Sequence, residues 1–369
     1  MFSSRLPEHL TPTPFFNALE SERTRAPYTD LTASSPAETG ILRSFSFTWN
    51  SEEAKVKSSE TAAAVAAYYA ARGIPAEPAQ IRFTSGTSEA YSVLFKTLCN
   101  PGDVILTPVP GYPLLETLSE LEFLNTYPYF LKQSGGAWKI DLKSLESAPP
   151  EAKILLLVSP HNPTGHCVSA AEWGAILSFC EERKMVLVVD EVFGDYTEAG
   201  VPRSLLYPRS NVPVFWLNGL SKTAGLPTVK LSWLYFHVPE PEKEALQNAL
   251  DYVLDAYLSV SSMAQKMARP LLADSFEFQT KVKERLSQNR DILRRYFPPE
   301  KLSLGDGGWY ASLYFENQDD EVLAFQLLQK HRILVHPGFF FDFQEDGWIV
   351  VSLLTEPDLF EKSIQVICS

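Results

Sequence analysis

Short runs of consecutive apolar residues recur along the first two thirds of the chain, and each is followed within a few positions by polar residues or glycine. Such runs are typical of strands covered on both faces, because neither side of the strand meets water. They predict strands at 81–84, 104–106, 154–158, 185–189, 214–217 and 231–236. Apolar residues spaced three or four positions apart predict helices over 61–72, 89–99, 112–121 and 169–183.

Strands that alternate with helices predict a mostly parallel central sheet flanked by helices, the α/β class. Residues 239–297 predict long helices interrupted near 259–262 and at Pro270, and after Leu302 alternating strands and helices predict a smaller α+β domain. Prolines divide residues 1–58, for which we predict an irregular arm with one short strand. We therefore predict three parts: the arm with part of the small domain (1–58), a large domain (59–245) and a C-terminal small domain (246–369) that the arm completes.

Composition narrows the classes of function. The 369 residues are 45% hydrophobic, enough for two domains, and the net charge of -13 argues against a nucleic acid or an anionic membrane as partner. No apolar run reaches the roughly 20 residues of a membrane span, and the N-terminus lacks a hydrophobic signal core. The cysteines form no CxxC motif, which indicates free thiols in a reducing compartment and a cytoplasmic protein: Cys99, Cys167, Cys180 and Cys368.

Polar residues follow the predicted strands where a sheet of this kind binds its ligands. The Ser85–Gly86–Thr87 turn opens a helix, and its amides and hydroxyls suit a phosphate, although an ordinary helix N-cap has the same residues. After 154–158, two prolines and a glycine fix the loop that contains Asn162, which suits the presentation of one amide at a defined point. The histidines His161, His237 and His336 show no metal-ligand spacing, so we assign no metal.

Two charged residues follow the last two parallel strands. Asp190 comes directly after 185–189, where burial of a carboxylate is costly unless it faces a cation. Lys222 lies on a turn between the apolar runs 214–217 and 231–236. A lysine near a strand end is also typical of an ordinary surface turn, so Lys222 alone decides nothing. A phosphate-binding turn, a fixed asparagine, an acid and a lysine are therefore all predicted at one edge of the sheet.

The order and spacing of these motifs resemble the fold type I pyridoxal-phosphate enzymes, specifically the class I/II aminotransferases. The resemblance runs from about residue 81 to the C-terminus. It rests on Asn162–Pro163–Thr164–Gly165, the Asp190–Glu191 pair, Ser221–Lys222 and the Gly225–Leu226–Pro227 loop. It implies a pyridoxal 5'-phosphate cofactor and a homodimer with the active site at the subunit interface.

The resemblance also implies a role for each matching residue. Lys222 would form the internal aldimine with the cofactor and then carry a proton. Asp190 would pair with the pyridinium nitrogen, Asn162 would donate to the phenolate oxygen, and Tyr112 would stack on the ring. Further cofactor contacts, mainly to the phosphate, would come from Ser85, Gly86, Thr87, Ser88, Ser221 and Lys230.

Several positions depart from the family pattern. Phe193 stands where the family commonly has a tyrosine that donates to the phenolate, so we expect the pKa of the aldimine to be raised. Lys230 replaces an arginine, Gly219 replaces a serine, and Phe47–Thr48–Trp49 replaces a Tyr-x-Pro pattern. We therefore expect the phosphate to be bound more weakly than in the family, or by other residues, and Phe193 to contact the cofactor.

The largest departure is Val350, at the position where the family places the arginine that binds the substrate carboxylate. Arg43 and Arg332 are candidate replacements; otherwise the substrate carries no carboxylate there. Two aromatic segments, Trp309–Tyr310 and Phe339–Phe341, fit either a substrate pocket or the core of the small domain.

The resemblance implies an aminotransferase that would move an amino group between an amino acid and a 2-oxo acid. Two alternatives stay open. One is another pyridoxal-phosphate reaction on the same scaffold, such as elimination or decarboxylation, which the missing arginine favours. The other is a binding or regulatory protein that kept the fold.

Overall fold

The computed structural model describes residues 3–6, 12, 14–48, 57–134, 136–198, 200–201, 211–258 and 260–369. Trp49 therefore lies outside the described residues. The strands are β1 (Thr29–Asp30), β2 (Ile81–Thr84), β3 (Val104–Val109), β4 (Asn125–Ser134), β5 (Ala137–Ile140), β6 (Ile154–Val158), β7 (Val186–Asp190), β8 (Val214–Gly219), β9 (Ser232–His237), β10 (Leu302–Ser303), β11 (Tyr310–Tyr314), β12 (Ile333–Leu334), β13 (His336–Pro337) and β14 (Trp348–Ser352).

The helices alternate with the strands in the first two thirds of the chain, as the apolar pattern predicts. They are α1 (Pro14–Arg25), α2 (Ser58–Ala70), α3 (Thr87–Leu98), α4 (Leu114–Leu121), α5 (Leu142–Glu146), α6 (Ala170–Arg183), α7 (Leu220–Thr223), α8 (Lys243–Tyr257), α9 (Ser262–Ala273), α10 (Ser275–Tyr296), α11 (Asp320–His331) and α12 (Pro357–Ile367). Ser169 begins α6 with a capping box, in which its hydroxyl accepts from Glu172 N and the Glu172 side chain accepts from Ser169 N.

Eight strands form the large sheet, in the order β2, β9, β8, β7, β6, β3, β4 and β5. The five strands from β8 to β4 in this order run parallel, whereas β2, β9 and β5 pair antiparallel with their neighbours. The predicted α/β class with a mostly parallel central sheet is confirmed. The carboxyl ends of β6, β7 and β8 consequently lie side by side.

Helices cover both faces of the large sheet. Leu155 and Leu157 of β6 pack in one core cluster with residues of α2, α6 and α9. Leu156, between them, packs in a second cluster with residues of α3 and α8, because successive side chains of a strand point to opposite faces. Leu250 on α8 belongs to the second cluster, while the domain boundary at 245 stays a prediction.

A smaller unit follows, and it includes the N-terminal arm. β10, β11, β14 and β13 form a four-stranded sheet, and β1 pairs in parallel with β12. The amide of Ser352 donates to the Leu31 carbonyl at 2.6 Å, which fixes the arm beside β14. The prediction that the arm and the C-terminus together build the smaller α+β domain is confirmed.

The structure differs locally from the predictions. Residues 14–25 form a helix in the arm predicted to be irregular, because Pro14 stands at its first position, where the missing N–H costs nothing. The predicted break near Pro270 lies at Asp274, between α9 and α10, so Pro270 itself lies inside α9. The strands β4 and β5 were missed, because the polar residues and proline of 125–134 hide their alternation.

Among the described residues, no helix has the length and apolar character that a membrane span requires. Within the same residues, no group of three or more His, Cys, Asp or Glu side chains could hold a metal ion.

Candidate active site

Lys222 lies on α7, a single helical turn between β8 and β9. Gly219 ends β8 and stands opposite Ser232 on β9. A methyl group added at Gly219 would overlap the Ser232 hydroxyl and come within 2.9 Å of Ser232 Cβ. The space next to the lysine turn is therefore filled by a serine on the opposite strand, which explains why position 219 has no side chain.

The Lys222 ammonium contacts groups from three distant parts of the chain. Nζ donates to the Ser34 carbonyl at 2.9 Å and lies 4.8 Å from the ring centre of Trp309 and 5.5 Å from that of Phe193. Burial lowers the pKa of Lys222 to about 8, although the negative charges of Asp190 and Glu38 oppose this shift. A lysine with such a pKa is neutral in part near physiological pH, and only the neutral amine is a nucleophile.

Asp190 ends β7, and its carboxylate is held by two donors. Tyr91 Oη donates to Oδ2 at 3.0 Å and the Val192 amide donates to Oδ1 at 3.0 Å. Burial raises the pKa of Asp190 to about 6, and the Glu191 charge adds to the rise, whereas the two hydrogen bonds and Lys222 oppose it. A carboxylate destabilised in this way would gain from a cationic partner.

Asn162 lies on the loop that follows β6, and this loop starts next to Asp190. Val158 pairs with Asp190 across β6 and β7, and the Ser159 amide donates to the Asp190 carbonyl at 2.9 Å. The Asn162 Oδ1 atom is buried and has no hydrogen-bond partner. Because a buried polar group without a partner is costly, this side chain has hydrogen-bonding capacity that a ligand could use.

The turn before α3 meets a lysine from the segment between α7 and β9. Gly86 is the N-cap of α3, and the helix receives no side-chain cap from it. Lys230 Nζ would lie 3.6 Å from a methyl group placed on Gly86. Thr87 and Ser88 form the first turn of the helix, so free amides and an ammonium converge as an anion requires.

Ser85 and Ser221, which were also predicted to contact the cofactor, have different surroundings from Gly86 and Thr87. Ser85 donates both its amide and its hydroxyl to Glu89 Oε2, at 2.6 and 2.7 Å, so its donors serve the turn itself. Ser221 is half-buried on α7 beside Lys222. We therefore expect Gly86, Thr87 and Ser88 to contribute more to anion binding than Ser85.

Aromatic residues cover the outer side of these groups. Phe193 is buried and packs edge-on against Trp309 and Tyr310, with ring centres 5.4 and 6.2 Å apart. Tyr112 is about half exposed; the burial of the remaining part raises its pKa, and the Asp190 charge adds to the rise. Its neighbour Gly111 donates its amide to the Phe341 carbonyl at 2.8 Å.

Most of the two aromatic segments after residue 300 belongs to the core of the smaller unit. Trp309, Tyr310 and Phe341 are buried in one cluster, whereas Phe339 is exposed. The core interpretation is thus correct for these three residues. Trp309 also faces Lys222, so it serves the core and the site together.

Val350 is fully buried in the same cluster, on β14 opposite Ser312 and His336. Neither predicted cation replaces an arginine there. Arg332 ends α11 and is held by Glu22 and by main-chain carbonyls of residues 22–27. Arg43 donates to the carbonyls of Ala224 and Leu271, at 3.3 and 2.8 Å, so its guanidinium holds the chain after Lys222.

Sequence reasoning missed four residues of the site: Ser34, Tyr91, Tyr196 and Ser232. Tyr196 Oη donates to the Lys222 carbonyl at 2.7 Å and so holds the backbone of α7 in place. Ser34 contributes a backbone carbonyl, for which no sequence signal exists. Tyr91 carried a signal, because it is a phenol in a helix face that is otherwise apolar and packs against β7.

The described groups fit pyridoxal phosphate. The helix start with Lys230 suits its phosphate, and the buried Asp190 suits a protonated ring nitrogen. The end of the Asn162 amide that carries Oδ1 is buried without a partner, so the side chain has a hydrogen bond to offer to a polar substituent of the ring. Lys222 supplies the amine.

Comparison with known proteins agrees with this geometry. The family model described as aminotransferase class I and II matches residues 55–364. Tyrosine aminotransferase from Mus musculus is 34% identical over 175 residues, 47% of this chain and 38% of that protein. Glutamate–glyoxylate aminotransferase 1 from Arabidopsis thaliana is 35% identical over 129 residues, 33% of this chain and 27% of that protein. The chain thus matches well under half the length of these curated relatives.

Solved structures match over a longer range. Alanine aminotransferase from Pyrococcus furiosus superposes with a TM-score of 0.81 at 23% identity, covering 94% of this chain and 93% of its own. An aminotransferase from Escherichia coli superposes with a TM-score of 0.83 at 19% identity, covering 100% and 97%. At these identities the likeness establishes the fold. Since the family model spans well over half of the residues, the chain belongs to the aminotransferase class I and II family.

Proposed function

We propose that this protein is a pyridoxal-phosphate-dependent aminotransferase that moves an amino group from an amino acid to a 2-oxo acid. The observation that carries the proposal is the meeting of Lys222, Asp190, Asn162 and the Gly86–Lys230 pair at one edge of the sheet. Membership of the family supports the same reaction. The names of the relatives, which include tyrosine and glutamate–glyoxylate aminotransferases, support amino acid donors.

Each residue has one task in holding the cofactor. Lys230 and the first amides of α3 bind the phosphate, Asp190 keeps the ring nitrogen protonated, and Asn162 donates to the ring oxygen. When bound, pyridoxal phosphate supplies a carbon that bonds to amino groups and a ring that accepts the electrons of the substrate Cα.

Lys222 is then the base. Its Nζ, as the neutral amine, accepts the proton that leaves the substrate Cα. It then donates this proton to the carbon on the other side of the nitrogen that is being transferred. The lowered pKa of Lys222 keeps part of the amine neutral at physiological pH. Phe193 and Trp309 exclude water from one side of Nζ, which protects this proton from exchange with solvent.

We further propose that two copies of the chain form a dimer. Apolar side chains are exposed where α8 ends and α9 begins, with Tyr252 and Leu258 each 82% exposed and Tyr257 and Met263 about half exposed. Exposed apolar groups that cluster in this way are typical of a protein interface. All four cysteines are free thiols, which supports the cytoplasm as the compartment.

One observation favours a second candidate. Val350 is buried in an apolar core, and the guanidinium groups of Arg43 and Arg332 are held by backbone carbonyls elsewhere. The bond that breaks at the substrate Cα depends on how the substrate is anchored. A site with a different anchor could catalyse elimination or decarboxylation with the same cofactor.

The visible absorbance spectrum tests the function. We expect purified protein, supplied with pyridoxal phosphate and then dialysed to remove the unbound cofactor, to keep a visible absorbance band that Lys222→Ala removes. Adding amino acids should convert the bound cofactor stoichiometrically to its amino form if the protein is an aminotransferase. Release of ammonia or carbon dioxide would identify the second candidate, and failure to bind the cofactor would leave the binding or regulatory protein.

A further inference from the structure

We propose that the Ser34 carbonyl and the rings of Phe193 and Trp309 form a resting place for the charged side chain of Lys222, so that both aromatic residues position the reactive amine. We name these three groups the lysine cage. Its role in catalysis rests on the proposed function, because the cage would hold the charged amine of Lys222 when it is neither bonded to the cofactor nor acting as the base.

The contacts favour the ammonium over the neutral amine. Nζ lies 2.9 Å from the Ser34 carbonyl oxygen, which accepts its proton. The ring centres of Trp309 and Phe193 lie 4.8 and 5.5 Å from Nζ, within the range of a cation–π contact. A carbonyl oxygen and two aromatic rings all stabilise a positive charge, and none of them requires the neutral form.

The two rings are rigid walls. Phe193 is 4% exposed and Trp309 is fully buried, and the two rings pack edge-on at 5.4 Å. Tyr196 packs against Trp309 at 4.9 Å and donates its hydroxyl to the Lys222 carbonyl at 2.7 Å. One aromatic group thus fixes the lysine backbone while its neighbours contact the lysine tip, so the distance between them can change little.

The segment that carries Ser34 is held at both ends by hydrogen bonds. This segment, residues 31–43, which we name the strap, passes Lys222 on the side of Ser34. At one end Leu31 donates its amide to the Leu334 carbonyl at 2.9 Å and accepts from Ser352. At the other end the Arg43 guanidinium donates to the Ala224 carbonyl, two residues after Lys222. The strap therefore presents the Ser34 carbonyl at a fixed place.

Two opposing influences act on the charge of the caged amine. Burial lowers the pKa of Lys222, while Asp190 at the end of β7 and Glu38 on the strap raise it. The rings act in the same direction as the two carboxylates. The amine is therefore held while charged and released when it loses its proton, which separates a resting position from a reactive one.

Chemical labelling of the cofactor-free, full-length protein tests the cage. Acetic anhydride reacts only with neutral amines, and mass spectrometry of the peptide that contains Lys222 gives the labelled fraction at each pH. The midpoint is the pH at which labelling of Lys222 reaches half of its maximal rate. We expect Phe193→Leu and Trp309→Leu each to lower this midpoint by about half a pH unit to one pH unit. At a fixed pH below the midpoint, this shift makes labelling about three- to tenfold faster.

Tyr310→Leu is the matched control, because it removes a buried ring that packs on Phe193 from the same cluster. We expect it to leave the midpoint unchanged. Equal midpoints in the wild type and both cage variants, or an equal shift in the control, overturn the proposal.

Trp309→Phe covers the case in which a leucine variant does not fold. It keeps a ring at the site but offers a weaker face to a cation, so the midpoint should fall by less. An unchanged midpoint in a folded Trp309→Phe variant also contradicts the cage. None of these measurements involves the cofactor, so the cage can fail while the proposed function stands, and the reverse.

Discussion

The Tyr91 hydroxyl donates a hydrogen bond to Asp190 Oδ2 at 3.0 Å, and so joins the middle of helix α3 to the end of strand β7. The same helix begins at Gly86, next to Lys230. The bond therefore fixes the spacing between the proposed phosphate site and the carboxylate proposed for the ring nitrogen. A cofactor with these two groups meets them at a set distance.

Asp190 gives a pH dependence that can be measured without cofactor. Its pKa of about 6 in the folded chain exceeds the ordinary value of 3.8, so the folded state binds more protons between these values. The free energy of unfolding should then fall by about 2 kcal/mol as pH rises from 4 to 7. Urea unfolding of the cofactor-free protein at several pH values measures this loss.

Asp190→Asn removes the titrating group and keeps one oxygen, which can accept from the Val192 amide, while the new amide nitrogen can donate to the Tyr91 hydroxyl. Above pH 6 we expect the cofactor-free variant to be more stable than the wild type by about 1–3 kcal/mol, and to bind cofactor more weakly. Near pH 4 the two proteins should unfold at similar urea concentrations. A difference in stability between the two proteins that does not change with pH would show that the ionised carboxylate of Asp190 does not destabilise the fold.

Lys230 should contribute to binding of the phosphate group and not of the rest of the cofactor. Lys230→Met removes the ammonium beside Gly86, and we expect affinity for pyridoxal phosphate to fall by about 10- to 100-fold, because a charge-assisted hydrogen bond is lost. Pyridoxal, which has no phosphate, is the control ligand and should bind both proteins equally. An equal loss for both ligands would place Lys230 outside the phosphate site.

Gly219 and Ser232 should be coupled. Gly219→Ala places a methyl group on the Ser232 hydroxyl, and we expect it to destabilise the protein by about 1–3 kcal/mol. In a Ser232→Gly background the same change should cost less, because the hydroxyl and Cβ are gone and only the Cα of residue 232, 3.0 Å from the added methyl group, is still close. Thermal unfolding of the four proteins of this cycle measures the coupling, and additive effects would contradict the overlap.

Phe193 should tune the bound cofactor. The wild type lacks a hydroxyl that could donate to the ring oxygen, so we expect Phe193→Tyr to lower the pKa seen in the visible absorbance of the cofactor. The measurement is a pH titration of that absorbance in both proteins. Coincident curves would mean that position 193 does not reach the ring oxygen, as its packing on Trp309 could bring about.

The large sheet and the residues at its edge could be predicted because their signals are local. The apolar run at 154–158 forms β6 with the same bounds, and Asp190 and Lys222 follow their strands as predicted. The Ser34 carbonyl and the Ser232 hydroxyl could not be predicted, because each depends on which distant segment packs there. The hydrogen bonds from Arg43 and Arg332 to backbone carbonyls could not be predicted for the same reason.

The strap has a consequence for how the protein is made. β1 pairs with β12, and Leu31 is hydrogen-bonded to Ser352, so the segment that carries Ser34 can take its place only after Ser352 has been synthesised. On a ribosome, the lysine turn at 222 emerges before that moment. The reactive amine therefore stays without its final surroundings until more than a hundred further residues have been added, and two segments far apart in sequence close the site together.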